Sequence, residues 1–237
     1  MILTAHQPMY LPWLGLFHKI AVADKFVFLD TVQYPRGKTE NYSNRNKIKT
    51  PNGPLWLTVP VRTAGKEGQL YTETEIDNSQ PWKKKHWNSI RINYSKAPYF
   101  SRYSSWFETF YSHEWSLLSD ANLKMLYFLL GELGIGTEVI VASSQLHLEG
   151  EKSDLVLDMC KKLGASTYIF GALGRDYADV VKFTENNVRA VFQEYAHPVY
   201  RQLYGRFEPY LSVIDLMFNE PDPLDVIMSC NITKEEV

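Results

Sequence analysis

Five short apolar runs punctuate the chain, and each gives way to a cluster of hydrogen-bonding residues, glycine or proline. They lie at 1–5 (MILTA), 25–30 (KFVFLD), 138–142 (EVIVA), 167–170 (TYIF) and 188–192 (VRAVF). Runs this short with little alternation read as strands buried on both faces, the pattern of a parallel sheet. The stretches 13–23 (WLGLFHKIAVA), 152–163, ended by Gly164, and 176–187 carry apolar residues at helical spacing between or beside them. Alternating strands and helices predict an α/β fold, a Rossmann-like parallel sheet with right-handed crossovers and helices on both faces.

Two segments break that rhythm. The Asn52-Gly53 pair between extended runs signals a hairpin, so 33–61 reads as an inserted β-hairpin followed by a glycine-rich loop at 63–70. Helical patterns at 82–93, 99–110 and 117–133, the last stopped by Gly134 and Gly136, form a helical region over about 82–134. The expectation is a single α/β domain spanning 1–237 with these two additions. At 237 residues, 45% hydrophobic and 22% charged, the chain can bury a large core. Its formal net charge of -2 gives no excess of basic charge, and no nucleic-acid partner is expected. Two cysteines, Cys160 and Cys230, can build neither a disulfide framework nor a zinc site alone. There is no signal-peptide pattern and no run of ~20 apolar residues, so a cytoplasmic location without a membrane span is expected.

In an open parallel sheet, ligands bind beyond the carboxyl ends of the strands. The segments that follow the five runs are HQPMYLPW, DTVQYPRGK, SSQL, GALGRDY and QEYAHPVY. In GALGRDY, Gly171 and Gly174 allow close backbone approach, Arg175 supplies a cationic fork and Asp176 can cap the next helix. A phosphate or carboxylate suits that loop; the plainer alternative is a strand-to-helix turn with an exposed arginine. The stretch KTENYSNRNKIK places Lys38, Arg45, Lys47 and Lys49 among Asn41, Asn44 and Asn46. It can clamp a diphosphate or form a solvated hairpin face. His6 and His197 each follow a strand and are candidate general bases, or else structural histidines bonded to loop carbonyls. Asp30, near Gln33, can bind an amine, a ribose or a metal, or can cap a turn. No HExxH, HxxxH or GxSxG pattern occurs, so neither a tightly bound metal nor a serine hydrolase is expected.

Several separated segments resemble the WbqC-like family over about residues 3–219. They are TAHQPMYLPWLGLFHKIAVADKFVFLDTVQY, NRNKIK with WLTVPV, CKKLGASTYIFGALGRDY, and QEYAHPVYRQLYGRFEPYLSVIDLMFN. The match singles out His6, Gln7, Pro8, Tyr10, Pro12, Trp13, Gly15 and Lys19 in the first segment. In the others it singles out Asp30, Gln33, Asn44, Arg45, Gly171, Arg175, Asp176, Tyr177, His197 and Pro198. That family is associated with bacterial O-antigen and other surface-polysaccharide gene clusters. With that association, the leading expectation is an enzyme of surface-glycan biosynthesis, a transferase that moves an acyl or aminoacyl group onto a nucleotide-activated or amino sugar. In that reading the partners are small molecules: a nucleotide sugar and an acyl or aminoacyl donor. His6, His197 and Asp30 are the candidate catalytic residues. Gln7, Tyr10, Trp13, Gln33, Asn44, Arg45 and Tyr177 would contact substrate, and Gly171, Gly174, Arg175, Asp176, Lys38 and Lys47 would hold phosphates. The strand, proline loop and W-x-G opening a helix are also similar in layout to the HUP-type nucleotidyltransferases. Trp13 and Leu16 stand where that superfamily carries two histidines. The alternatives this leaves are nucleotidyl transfer or ATP-dependent ligation with a nucleotide and magnesium, and a non-catalytic scaffold.

Overall fold

The computed structural model describes residues 1–35, 42–229 and 231–237. Lys38, Asn41 and Cys230 lie outside the described residues. The chain opens with strand β1 (Ile2–His6), helix α1 (Leu14–Ala21) and strand β2 (Lys25–Phe28). A hairpin of β3 (Arg45–Thr50) and β4 (Gly53–Thr58) leads to helices α2 (Trp82–Tyr94), α3 (Phe100–Ser112) and α4 (Leu118–Leu133). Strand β5 (Glu138–Val141), the short α5 (Ala142–Gln145) and α6 (Lys152–Leu163) follow. Strand β6 (Thr167–Phe170), α7 (Val180–Glu185), β7 (Arg189–Phe192), α8 (Val213–Asn219) and α9 (Pro223–Met228) complete the order.

The five predicted runs form one parallel sheet in the order β5-β2-β1-β6-β7, and β3 with β4 forms a separate antiparallel pair. The register sets His6 opposite Phe28, Phe28 opposite Val141, Thr4 opposite Ile169 and Phe170 opposite Phe192. The chain builds outward from β1 in one direction, through β2 to β5, then returns to place β6 and β7 on the other side. The direction of winding therefore reverses between β1 and β6, and open α/β sheets bind their ligands at such a point, beyond the strand ends.

Side chains alternate between the two faces of each strand. Leu3, Ala5, Val27 and Ile140 pack with Val156, Leu157, Cys160 and Phe183 of α6 and α7. Phe26 and Phe28 pack instead with α1, the hairpin, α2 to α4 and α8. His6 alternates with Ala5 and so lies on the α1 face. The hairpin turn is Pro51-Asn52, with Thr50 paired to Gly53 and Gly53 at φ +104. The helices α4 and α6 end on the glycines foreseen for them, Gly134 at φ +71 and Gly164 at φ +70, in the left-handed region that glycine adopts without a Cβ clash.

Two expectations need correction. The helix predicted over 176–187 is a 3₁₀ turn at Ala172–Asp176 followed by the shorter α7, and its cap is Asp179, which accepts from the Lys182 amide at 3.1 Å. Asp176 belongs to the 3₁₀ turn and not to the cap. The helix α8 has no sequence signature because all seven of its residues are buried, and a helix buried on every side shows no amphipathic period.

Candidate functional site

The five strand ends line up along one edge of the sheet, bearing Ser143, Asp30, His6, Gly171 and Gln193 in spatial order. The first loop, HQPMYLPW, is mostly interior: residues 8–12 are all buried. Leu11 sits at φ +46, a left-handed conformation costly for a leucine. Neighbouring elements hold it there. The Asn46 amide donates to the Leu11 carbonyl at 2.5 Å, and the Val213 N–H donates to the Pro12 carbonyl at 2.8 Å. Tyr10 was expected to face a pocket, but its ring is fully buried, with its hydroxyl 2.8 Å from His86 Nδ1 and 2.5 Å from the Tyr111 hydroxyl. Trp13 is half-buried and lies on Gly15, where an added Cβ would come within 2.3 Å of the indole. Gly15→Ala is therefore expected to push Trp13 off Tyr195 and Tyr210, cost about 1–3 kcal/mol in urea unfolding, and shift the tryptophan fluorescence.

His6 and Gln7 are what this loop presents outward. The His6 ring is half-buried, with Nδ1 2.7 Å from the Gln7 carbonyl oxygen. That oxygen can only accept, so Nδ1 carries the proton and Nε2 keeps a lone pair, with no hydrogen-bond partner among the described residues. Burial, and secondarily the charge of Lys19, lower the His6 pKa to about 4, so the ring is neutral near pH 7. Gln7 Oε1 accepts from the Tyr71 hydroxyl at 2.8 Å, and Ser43 Oγ lies 2.5 Å from the same hydroxyl.

Lys19, on the second turn of α1, is 3% exposed, and its ammonium donates to the Ala5 carbonyl at 3.0 Å. Burial alone lowers its pKa to about 8, which leaves it mostly charged at neutral pH. Among the described residues no Asp or Glu forms an ion pair with it. Roles were assigned to its neighbours from the sequence but not to Lys19. The available signal was a lone lysine in a helix whose residues from Leu14 to Ile20 are otherwise apolar or aromatic.

The remaining candidates are dispersed. Asp30 is buried, and both its oxygens are engaged by Ser143: Oδ1 by the backbone N–H at 2.9 Å and Oδ2 by the hydroxyl at 2.6 Å. It fixes the β5-to-α5 turn, and Asp120 faces it closely enough to have its own pKa raised, by burial first and by Asp30 second. Gln33 is exposed and bridges to Leu70. Arg175 pairs with Glu194 at 2.5 Å and lies 4.8 Å over the Phe192 ring, while Gly174 packs so tightly on Phe170 that a Cβ would come within 2.5 Å. Gly171 is half-buried, and Asp176 and Tyr177 are exposed beside it, Tyr177 with its edge toward Phe170. The small residue at 174 thus answers a packing need. Arg45 and Lys47 lie over Trp56 at 4.4 and 5.7 Å, and the Asn44 amide donates to the Val59 carbonyl at 2.8 Å. Lys49, read as part of a solvated face, is buried.

His197 has both ring nitrogens occupied. Nδ1 lies 2.9 Å from the Pro198 carbonyl, and Nε2 accepts from the Tyr210 N–H at 3.1 Å. Burial lowers its pKa. This arrangement holds Tyr210 at φ +57 and fits an architectural histidine better than a base. Gln193, in the same segment, is a contributor the sequence did not reveal. Its amide is 2.8 Å from both the Gly15 carbonyl and His18 Nδ1, and it pins the start of α1. The Gln69 side-chain amide and Asn122 Oδ1 are buried without hydrogen-bond partners among the described residues. Two open recesses of about 430 and 390 Å³ lie elsewhere, the first lined by Gln69 with Lys66, Glu73 and Glu75, the second by Trp87, Tyr111 and Lys83. Neither is lined by His6 or Lys19. Among the described residues no three His, Cys, Asp or Glu side chains converge as metal ligands, and no helix is long and apolar enough to cross a membrane.

Comparison with known proteins bears on the whole chain. An uncharacterized protein of Mycobacterium tuberculosis (strain ATCC 25618 / H37Rv), Rv1507c, is 36% identical over 215 residues, covering 90% of this chain and 91% of its own. No solved structure matches the chain. A family model, described as the WbqC-like protein family, matches residues 7–223. With the family model spanning nearly the whole chain and a relative this similar over nine-tenths of it, the protein belongs to the WbqC-like family.

Proposed function

We propose that the protein is a transferase of surface-glycan assembly that moves an acyl or aminoacyl group onto the amine of a sugar, with the reaction centred on the carboxyl end of β1. The observation that carries this reading is the pairing of a neutral His6, its Nε2 lone pair unengaged among the described residues, with the buried Lys19 ammonium beside it. In the step itself the amine lone pair forms a bond to the acyl carbon. The leaving group departs with its bonding electrons, and the amine proton passes through His6 Nε2 to that leaving group. A neutral imidazole suits this transfer because it accepts at Nε2 while Nδ1–H stays anchored on Gln7. Gln7, held by Tyr71, is positioned to orient the sugar.

A thermal-shift screen tests the reading. A ligand at ~100 times its dissociation constant adds roughly 2.7 kcal/mol to stability. Stabilisation by nucleotide sugars or acyl donors, followed by turnover of the pair, supports acyl transfer. Stabilisation by ATP with magnesium alone favours nucleotidyl transfer or ligation, for which the sheet order is the supporting observation. Its weakness is that Trp13 and Leu16 offer no imidazole where that chemistry would use two. If no ligand shifts the melting temperature, a scaffold role gains ground, with Leu55 and Trp56, each 40% exposed on the hairpin, as its surface.

A further inference from the structure

We propose that the carboxyl ends of β1 and β6, where the two strands part, form an oxyanion site, anchored by the Lys19 ammonium with the His6 imidazole as its neighbour. The inference deepens the reading above and rests on it, because it names what the substrate must carry: a phosphate or carboxylate group.

Backbone geometry locates the ammonium. Successive residues of a strand point their carbonyls to opposite neighbours. The carbonyl of His6 accepts from Leu29 on the β2 side at 2.9 Å, so that of Ala5 points toward β6. Pairing between β1 and β6 ends at Thr4 opposite Ile169, while pairing between β1 and β2 continues to His6 opposite Phe28. The Ala5 carbonyl therefore projects past the last β1–β6 rung, where the two strands part, and Lys19 reaches it there at 3.0 Å. The charge sits at the winding reversal, where α/β sheets take their ligands.

Energetics then ask for an anion. An ammonium has three N–H donors, and one of those of Lys19 is engaged by an acceptor among the described residues. Removing an ion from water costs several kcal/mol, which proteins recover with an opposite charge or a full set of hydrogen bonds. Lys49 shows the usual remedy within this same fold: it has Gln202 Oε1 and the Arg206 carbonyl at 2.8 and 2.5 Å and feels Asp215 and Glu208. Lys19 has one carbonyl and no carboxylate among the described residues. An oxyanion supplies the missing charge and accepts the two remaining N–H groups. The half-buried His6 marks the side from which it enters. Of the basic groups predicted from sequence to hold phosphate, the two among the described residues are otherwise engaged: Arg175 pairs with Glu194, and Lys47 lies over Trp56, as does Arg45.

The test is a titration of the full chain with inorganic phosphate, pyrophosphate and sodium acetate at constant ionic strength, read by melting temperature. The wild type is expected to show a saturable rise, with pyrophosphate or phosphate leading if the group is a phosphate and acetate leading if it is a carboxylate. Lys19→Met should weaken the apparent affinity at least about tenfold. Equal titrations in wild type and Lys19→Met, or no saturable rise with any of the three anions, overturn the site. Should Lys19→Met not fold, the Nζ resonance of Lys19 in ¹⁵N-lysine-labelled wild type must move as the anion is added, and a static resonance overturns it. His6→Gln separates this proposal from the catalytic reading. Retained anion binding with lost turnover supports both, whereas turnover without anion binding leaves the reaction standing and sinks the site.

Discussion

Asp215→Ala is expected to destabilise the protein by about 3–5 kcal/mol, the scale seen when one member of a buried charged network is removed. The carboxylate is fully buried on α8 and accepts from the Tyr94 hydroxyl at 2.7 Å and the Tyr200 hydroxyl at 2.9 Å. Burial raises its pKa, and the two tyrosines and then the Lys49 charge oppose that rise. Lys49 forms no direct ion pair with Asp215, but its backbone N–H donates to the Tyr94 hydroxyl at 2.8 Å, which ties β3 into the same network. Truncation removes two hydrogen bonds to a charged acceptor, each worth roughly 1.5–3 kcal/mol, and leaves the Lys49 ammonium without its nearby negative charge. Urea unfolding of Asp215→Ala, Asp215→Asn and Lys49→Met measures this. The asparagine variant should lose less than the alanine because it keeps one acceptor oxygen. A loss below about 1 kcal/mol for the alanine variant would show that the carboxylate is dispensable.

His6→Gln is expected to lower turnover on the substrate pair found by the thermal screen by about 10²–10⁴-fold, the usual contribution of a positioned general base. The fold should hold, because the His6 side chain is half-buried at a strand end and makes one hydrogen bond to a carbonyl. The pH dependence adds a second readout. His6 must be unprotonated to accept a proton, so activity is lost as pH falls through about 4. Lys19 must be protonated to hold an anion, so kcat/KM declines as pH rises through about 8. On the proposed reaction, the expected kcat/KM profile is therefore a broad plateau between those limbs. His6→Gln should abolish the acid limb and keep the alkaline one. An acid limb near the ordinary imidazole pKa of about 6.5 would instead point to an unburied histidine as the base.

The sheet was legible because its signal is local. Each strand is a short apolar run, and β6 and α6 occupy the very residues whose patterning announced them. The two glycines that end α4 and α6 were equally plain, since only local backbone geometry demands them. α8 was not legible, because a segment buried on every side leaves no polar face to set the phase. The candidate site was half legible. His6, the last residue of β1, and Gln7 after it had to emerge at the carboxyl edge of the sheet once the strands were parallel, whatever the rest of the chain does.

What the sequence could not determine is which polar side chains remain available, for that depends on partners far away in the chain. Tyr10 is spent on His86 and Tyr111, and Asp30 on Ser143. His197 is spent on Pro198 and Tyr210, and Arg175 on Glu194. Lys19 is the reverse case, an ordinary helical lysine by spacing that the fold buries against the Ala5 carbonyl with no counter-charge among the described residues. Alternation of apolar runs suffices for the order of strands and helices, because burial of backbone and apolar surface is dictated residue by residue. Charge and hydrogen bonding are settled pair by pair across the fold, and only the tertiary structure brings those pairs together.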